Sequence, residues 1–364
     1  MEVQMENPFT PTFGIVPPFL AGRAALLRDM ENAFRAGLGN PNMCSILIGP
    51  RGSGKTALLS CIGKEARDAG WVVVNTNAVE GMLQDILERF HSYAAENLRL
   101  KTRRKLSGLT IGQLFGLQWK EEVPAEGNWR SRMTVLLEEL KKNHTGLLIT
   151  VDEVRADIPE MITLAAVYQL LIRDGFTVAL VMAGLSAHVN ELLDHKSVSF
   201  LRRARQHVLD RVGDAEVRSA FRNTVQSGGK QIKDDALELA VDAIGGYPYM
   251  MQLVGYSTWE ESGNHRQIEK ISVKAGILLA DEEFQKGVLR STLRELSKQD
   301  VAFLKAMLPD EEDSRLTDIA ERMGKTTGYA STYKNRVLKA GVIEEHANGT
   351  VAFAIPAFRR FLSE

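Results

Sequence analysis

The chain has 364 residues, a length that suits two or three domains rather than one small core. Hydrophobic residues make up 44% and charged residues 25%, as in an ordinary globular protein. The formal net charge of -1 excludes a uniformly basic nucleic-acid-binding chain, so any contact with DNA needs a local patch. No secretory leader and no apolar stretch of about 18 residues is visible, and we therefore expect a cytoplasmic protein with no membrane partner.

The first half of the sequence predicts an α/β fold. Prolines at positions 8, 11, 17 and 18 predict an extended arm over residues 1–20. The pattern then predicts a helix at 23–38, a buried strand at 44–48, a helix at 55–69 and a second strand at 71–74. A strand, a crossover helix and a second strand in this order indicate a parallel sheet.

The middle of the chain is less regular. It predicts helices at 79–98, 129–142 and 159–173, a hairpin at 107–119, and strands at 147–151, 177–182 and 206–209. The basic run 99–105 is expected to be a solvated helix face, and contact with DNA is the alternative. After residue 211 strand patterns disappear, and helices are expected at 215–227, 234–244, 248–262 and 268–296.

The strongest motif lies between the first strand and its helix. The segment Gly49-Pro-Arg-Gly-Ser-Gly-Lys55-Thr56 matches the pattern G-x-x-x-x-G-K-[ST] in full. Its glycines allow successive N–H groups to point at phosphate oxygens, and the helix that starts there adds its positive end. We expect Lys55 to contact the β and γ phosphates and Thr56 to bind Mg²⁺. The predicted ATP-binding residues are Gly49, Pro50, Arg51, Gly52, Ser53, Gly54, Lys55, Thr56 and Ala57.

A second candidate site element follows the strand at 147–151. This apolar strand delivers Asp152 and Glu153 to the carboxyl edge of the sheet, where parallel sheets bind their ligands. Asp152 is expected to hold Mg²⁺ through water, and Glu153 to orient and deprotonate the attacking water. A glutamate after the aspartate favours hydrolysis over binding alone. The alternative is that the two carboxylates only begin a solvated loop.

With these motifs, and with Pro17-Pro-Phe-Leu-Ala-Gly22-Arg23 before the first helix, the chain resembles the AAA+ superfamily of P-loop ATPases. Within it, the chain is similar to the prokaryotic ATPases related to origin-recognition initiators and to the STAND signalling ATPases. The resemblance covers about residues 17–364 and implies that Gly22 and Arg23 border the adenine. A helix N-terminus without ligand contact is the alternative.

The resemblance also implies roles near the γ-phosphate. Ser186 is the polar residue nearest to the position of sensor 1, although the family usually has Asn or Thr at the strand tip. Arg202 or Arg203 occupies the region of the arginine finger, which reaches the ATP of a neighbouring subunit. Arginine suits that role because its planar, permanently charged fork can brace transition-state oxygens. A solvated basic helix end is the alternative.

The lid motif Gly245-Gly246-Tyr247-Pro248 resembles the Gly-x-Pro of STAND-like relatives, whose proline packs on the nucleotide. Pro248 is therefore a further candidate nucleotide contact, with a role in helix capping as the alternative. Initiator-type relatives carry a sensor-2 arginine on this helix. The sequence has no arginine between Pro248 and Trp259, which weakens the comparison with initiators.

The C-terminal residues resemble a winged helix. A helix at 315–323, a turn at 324–328, a recognition helix at 329–339 and a hairpin with an Asn348-Gly349 turn follow one another. Such a module can bind double-stranded DNA, here through 326–339, or a protein. The candidate DNA contacts are Ser331, Thr332, Lys334, Asn335 and Arg336. From residue 295 onward acidic residues slightly outnumber basic ones, so both alternatives stay open.

Together these features predict an extended arm at 1–20, an AAA+ nucleotide-binding domain at 21–212, a helical lid at 213–296 and a winged helix-turn-helix at 297–364. We expect an ATPase that binds ATP or ADP with Mg²⁺, and whose ATP state controls homo-oligomer assembly and DNA binding. The alternative is a STAND-like signalling ATPase whose winged helix contacts a protein partner or inhibits the chain itself. A metabolic P-loop kinase fits the C-terminal half less well.

Overall fold

The computed structural model describes residues 6–12, 15–105, 128–311, 313–346 and 348–363, with residues 94–105 described by their backbone alone. The hairpin predicted at 107–119 lies outside the described residues, as do the side chains of the basic run at 99–105. No helix in these ranges is both long and apolar enough to cross a membrane.

The N-terminal domain alternates strands and helices. Its elements are α1 (Ala24–Ala36), β1 (Cys44–Ile48), α2 (Lys55–Asp68), β2 (Val72–Asn77), α3 (Met82–Lys105), α4 (Trp129–Lys142), β3 (Leu147–Asp152), α5 (Pro159–Arg173), β4 (Val178–Gly184), α6 (Ser186–Asp194) and β5 (Arg205–Val208). Two 3₁₀ segments, Pro41–Met43 and Lys196–Arg203, precede β1 and β5.

The five strands form one parallel sheet in the order β2-β3-β4-β1-β5. Helices cover both faces, so alternate residues of a strand enter different cores. In β1, Leu47 packs with Met30 and Leu58 on the face of α1 and α2, whereas Ile46 and Ile48 belong to the opposite core. Burial on both faces explains why β1, β3 and β4 appear in the sequence as nearly continuous apolar runs, whereas the edge strand β5 is polar and largely exposed.

The predicted parallel α/β fold is confirmed, and several element boundaries differ, among them that of the second strand, which ends at Asn77 rather than at residue 74. The helix expected at 79–98 begins at Met82 and continues to Lys105, so the basic run is helical. The fourth strand continues to Gly184, two residues beyond the predicted end, because it pairs with all of β1. The fifth strand covers Arg205–Val208, one residue earlier than predicted.

Helices dominate the second part of the chain. It contains α7 (Asp214–Ser227), α8 (Asp234–Ile244), α9 (Pro248–Glu261), α10 (Lys270–Phe284), a π-helical turn (Gln285–Leu289) and α11 (Arg290–Glu295), with the short parallel pair β6 (Gln231–Ile232) and β7 (Gln267–Ile268). The single helix expected at 268–296 is therefore divided by a π-helical turn.

Residues 6–12 of the predicted N-terminal arm contain no helix or strand and pack into the helical domain. Phe9 is buried, and its ring lies 5.0 Å from that of Phe221. A Cβ added to Gly255 would overlap the Phe9 ring, so only glycine permits this approach. The Asn7 side-chain amide donates to the Glu260 carboxylate at 2.8 Å. The arm thus contributes to the core of the lid.

The C-terminal domain is largely helical. It comprises α12 (Lys298–Met307), α13 (Leu316–Arg322), α14 (Thr327–Lys339), the antiparallel pair β8 (Ile343–Glu345) and β9 (Val351–Phe353), and α15 (Pro356–Ser363). Val337 is buried, as its position in the predicted recognition helix requires. Gly349 has a φ of 79° in the turn between the strands, which glycine adopts without strain.

Candidate active site

The predicted phosphate loop connects β1 to α2. Gly52 and Gly54 have φ values of 76° and 87°, in the left-handed region that glycine tolerates best. The Lys55 side chain is 6% exposed, and its Nζ donates to the carbonyls of Gly49 at 2.9 Å and Pro50 at 2.8 Å. Burial lowers the pKa of Lys55, while the nearby carboxylates of Glu153 and Asp152 act in the opposite direction.

Thr56 and Asp152 meet at the edge of the sheet. They come from α2 and from the end of β3, and β4 separates β3 from β1. The Thr56 hydroxyl nevertheless donates to Asp152 Oδ2 at 2.5 Å. Each residue supplies an oxygen atom of the kind that Mg²⁺ prefers as a ligand. Mg²⁺ usually binds only one or two protein oxygens in addition to phosphates and water. The two residues therefore fit a Mg²⁺ site, with Thr56 and Asp152 as the groups that would hold the ion.

Glu153 lies at the rim of this site. Its amide donates to Asp152 Oδ1 at 2.9 Å, which fixes its backbone beside the predicted metal ligand. Its φ of 56° is unusual for a residue with a Cβ and costs about 1 kcal/mol or more. The exposed Glu153 carboxylate has the chemistry of a general base, and its backbone places it next to Lys55, Thr56 and Asp152.

Gly22 and Arg23 lie where β5 leads into the lid. The Arg23 guanidinium donates to the Asp210 carbonyl at 3.0 Å, and burial lowers the pKa of Arg23. Gly22 has a φ of 67°, and a Cβ added there would lie 3.1 Å from the Glu216 carboxylate. The motif therefore anchors the first residues of the lid. Contact of either residue with adenine stays a prediction.

The lid motif reaches the phosphate loop. A Cβ added to Gly54 would meet the Pro248 ring at 3.9 Å, so the proline lies against the turn that begins α2. The Tyr247 hydroxyl donates a hydrogen bond to the Arg51 carbonyl. The sequence motif contains Tyr247, but its pattern predicts a role only for Pro248. The available signal was an aromatic residue between Gly246 and Pro248.

Ser186 is the first residue of α6, two positions after the end of β4, and it is half-buried. Its role as a sensor stays a prediction. His188, in the first turn of the same helix, was not singled out from the sequence. Burial and the positive charge of Arg155 lower the pKa of His188, and the Glu153 carboxylate opposes that shift. His188 is therefore part of the electrostatic surroundings of the predicted base.

The two candidate finger arginines differ in their contacts. Arg202 donates to the Leu193 carbonyl at 3.0 Å and to the Asp194 carboxylate at 3.4 Å, so it is tied to the end of α6. Arg203 is exposed and has no hydrogen bond or ion pair within the described part of the chain. Neither arginine touches the phosphate loop of its own chain among the described contacts, and the role of either as an arginine finger stays a prediction.

Comparison with known proteins defines the family. Residues 20–244 match the AAA ATPase domain, which is more than half of the chain, so the protein belongs to the AAA ATPase domain family. Residues 286–362 match a domain of unknown function (DUF8462). No curated protein is similar enough in sequence to be matched.

Solved structures share the fold over nearly the whole chain. The Walker-type ATPase PABY2304 of Pyrococcus abyssi has a TM-score of 0.68 at 15% identity. The match covers 95% of this chain and 96% of the Pyrococcus chain. Cdc6p from Pyrobaculum aerophilum has a TM-score of 0.51 at 16% identity, covering 97% and 95%. The Aeropyrum pernix ORC2 protein, solved as ADPNP–ADP complexes, has a TM-score of 0.50 at 16% identity, covering 96% and 95%.

Proposed function

We propose that the protein binds ATP with Mg²⁺ and hydrolyses it to ADP and phosphate. The observation that carries this proposal is the convergence of Lys55, Thr56, Asp152 and Glu153 from two non-adjacent strands onto one edge of the sheet. Membership in the AAA ATPase domain family supports it. The chain thus has both a phosphate cradle and a carboxylate that can accept a proton.

Each side chain has a defined task in this proposal. The N–H groups of residues 51–57 and the Lys55 ammonium bind the phosphates. Thr56 and Asp152 hold Mg²⁺, which when bound neutralises charge on the phosphate oxygens. Glu153 orients a water and takes its proton as that water attacks the γ-phosphorus. Arg203 or Arg202 of a second copy stabilises the charge of the transition state.

We further propose that the ATP state controls assembly and the position of the C-terminal domain. That domain touches the ATPase domain at α6, the helix that follows β4. Lys339 Nζ lies 3.1 Å from the Glu191 carboxylate, and a Cβ added to Gly341 would approach the Leu185 side chain to 2.8 Å. A structural change at the sheet edge can therefore be transmitted to α14 through these contacts with α6.

Double-stranded DNA is the proposed partner of α14 and its N-terminal turn, residues 326–339. Thr332 and Asn335 are exposed on this helix and can reach phosphates or base edges. The observed order of three helices, α12 to α14, followed by the β8–β9 hairpin supports a winged helix. Such a module would place α14 in the major groove.

A protein partner is the second candidate, and one specific observation favours it. All three cationic residues of α14 form ion pairs within the chain: Lys334 with Glu345, Arg336 with Asp300 and Lys339 with Glu191. A helix whose charges are already paired offers DNA less electrostatic attraction. In this alternative the chain is a STAND-like signalling ATPase, which also agrees with the lack of a sensor-2 arginine.

Light scattering separates the two candidates. The Glu153→Gln variant would be measured with ADP and with ATP, each with and without a duplex DNA at low salt. Assembly with ATP that duplex DNA strengthens is the result expected for the DNA-binding ATPase. Assembly that ignores DNA would favour the signalling ATPase. A monomer under every condition would contradict the proposed control of assembly.

A further inference from the structure

One contact between the lid and the phosphate loop joins residues far apart in the sequence. Tyr247 is the residue before α9, and its hydroxyl donates to the Arg51 carbonyl in the middle of the loop, 196 positions away. The tyrosine is 7% exposed, and burial raises its pKa, so the hydroxyl stays a proton donor. A Cβ added to Gly52 would overlap this hydroxyl, which shows how closely the Tyr247 side chain approaches the backbone of the loop.

The lid holds Tyr247 rigidly in this position. Its ring packs edge-on against Phe284, which is buried, at a centroid distance of 5.7 Å and an angle of 82°. The preceding Gly246 accepts a hydrogen bond from the Val212 amide at 2.9 Å. Gly246 has a φ of 74°, and a Cβ there would overlap the Val212 carbonyl. The ring and the backbone beside it are thus fixed by separate contacts, so the hydroxyl is pre-positioned.

The chemistry of the contact follows from peptide geometry. The Arg51 carbonyl and the Gly52 N–H belong to the same peptide unit. The described part of the chain contains no cis peptide bond, and in a trans peptide the C=O and N–H groups point in opposite directions. A hydrogen bond that holds the Arg51 carbonyl toward the lid therefore aims the Gly52 N–H away from the lid. Gly52 lies in the loop whose N–H groups bind phosphate.

We propose that Tyr247 is a positioning residue for the phosphate loop, because its hydroxyl fixes the Arg51–Gly52 peptide in the orientation that binds the nucleoside triphosphate. The inference rests on the proposed ATPase function and adds a determinant of nucleotide affinity that lies in the lid. It also explains why Gly52 must be glycine, since any side chain there would displace Tyr247.

The test compares two tyrosines of the same lid segment. Tyr247→Phe keeps the ring that packs on Phe284 and removes only the hydroxyl. Tyr249→Phe is the matched control, because Tyr249 packs on the same Phe284 ring at 6.0 Å and its hydroxyl makes no hydrogen bond within the described part of the chain. Calorimetry would give the affinity of each protein for ADPNP, and steady-state kinetics would give KM and kcat for ATP.

We expect Tyr247→Phe to weaken ADPNP binding about three- to tenfold, the range for one lost hydrogen bond, and to raise KM similarly. We expect kcat at saturating ATP to stay within about twofold, and the Tyr249→Phe protein to match the wild type. Equal binding by all three proteins would overturn the proposal, and so would equal weakening in both variants. Absence of ADPNP binding in the wild type would instead refute the proposed ATPase function.

Discussion

Cationic side chains have opposite surroundings in the phosphate loop and in α14. Lys55 is buried, donates to two loop carbonyls and lies near Asp152 and Glu153 at the sheet edge. Lys334 and Lys339 lie on an exposed helix, and each pairs with a carboxylate of another element. A cation in a strand-to-helix turn is positioned by the backbone of its own motif. A cation on an exposed helix is positioned by whichever carboxylate tertiary packing brings near.

The third ion pair of α14, between Arg336 and Asp300, contributes to packing between helices. Arg336 contacts Asp300, whose side chain is 2% exposed and also accepts from the Ser297 amide at 2.8 Å and the Ser297 hydroxyl at 2.6 Å. Burial alone would raise the pKa of Asp300, but these hydrogen bonds from Ser297 and Arg336 lower it. Arg336 therefore helps to hold α12 against α14. The Lys339–Glu191 pair is a surface pair, worth about 0–1 kcal/mol, whereas the Lys334 side chain of the other lysine pair is only 15% exposed.

The largest expected effect concerns the buried cation. Lys55→Ala should weaken ATP binding about 100-fold or more and abolish turnover, because a charged partner of the phosphates is lost. Lys64→Ala is the control, since Lys64 lies on the same helix and pairs with Asp68 on the exposed face. Calorimetric titration with ATP measures both. Tight binding by the Lys55→Ala protein would contradict the assigned site.

A second expected effect distinguishes the two candidate finger arginines. Arg203→Ala should lower kcat about 10³-fold while ATP affinity stays near the wild-type value, because the finger acts on the transition state of a neighbouring subunit. Arg202→Ala should have the smaller effect, since that side chain is bound to Leu193 and Asp194. Turnover per subunit should also rise with protein concentration. A kcat that neither substitution nor dilution alters would show that no finger operates between copies.

The smallest expected effect sharpens the description of α14. Glu345→Gln together with Glu191→Gln releases Lys334 and Lys339 without touching the buried Asp300. If α14 binds duplex DNA, affinity at low salt should rise a few-fold and its salt dependence should steepen, because two cations become available to phosphates. Fluorescence anisotropy with a labelled duplex measures both quantities. Unchanged affinity would favour a protein partner for this helix.

The nucleotide-binding domain was largely predictable from the sequence because its signals are local. A five-residue apolar strand followed by the loop at 49–56 predicts both the fold and the positions of Lys55 and Thr56. The strand at 147–151 could be assigned to the same site because a parallel sheet brings the carboxyl ends of its strands to one edge. The contact between Thr56 and Asp152, 96 positions apart, therefore follows from the topology rather than from any pairwise signal.

The lid contacts could not be predicted in the same way. Tyr247 and Arg51 meet because the N-terminal end of α9 lies against the loop, and nothing in the local pattern of either segment specifies that packing. The burial of Phe9 in the lid has the same origin, since prolines predict an extended arm but not where it docks. The π-helical turn at Gln285–Leu289 also lacks a local signature. Long-range side-chain packing determines all three features.

The most direct test of the account is a comparison of ATP binding and ATP turnover in the Glu153→Gln protein. The substitution keeps the size of the side chain and removes its ability to take a proton. ATP affinity should stay close to the wild-type value, and kcat should fall about 10²- to 10⁴-fold, the range expected when a general base is lost. Turnover equal to that of the wild type would contradict the assignment of Glu153 as the catalytic base.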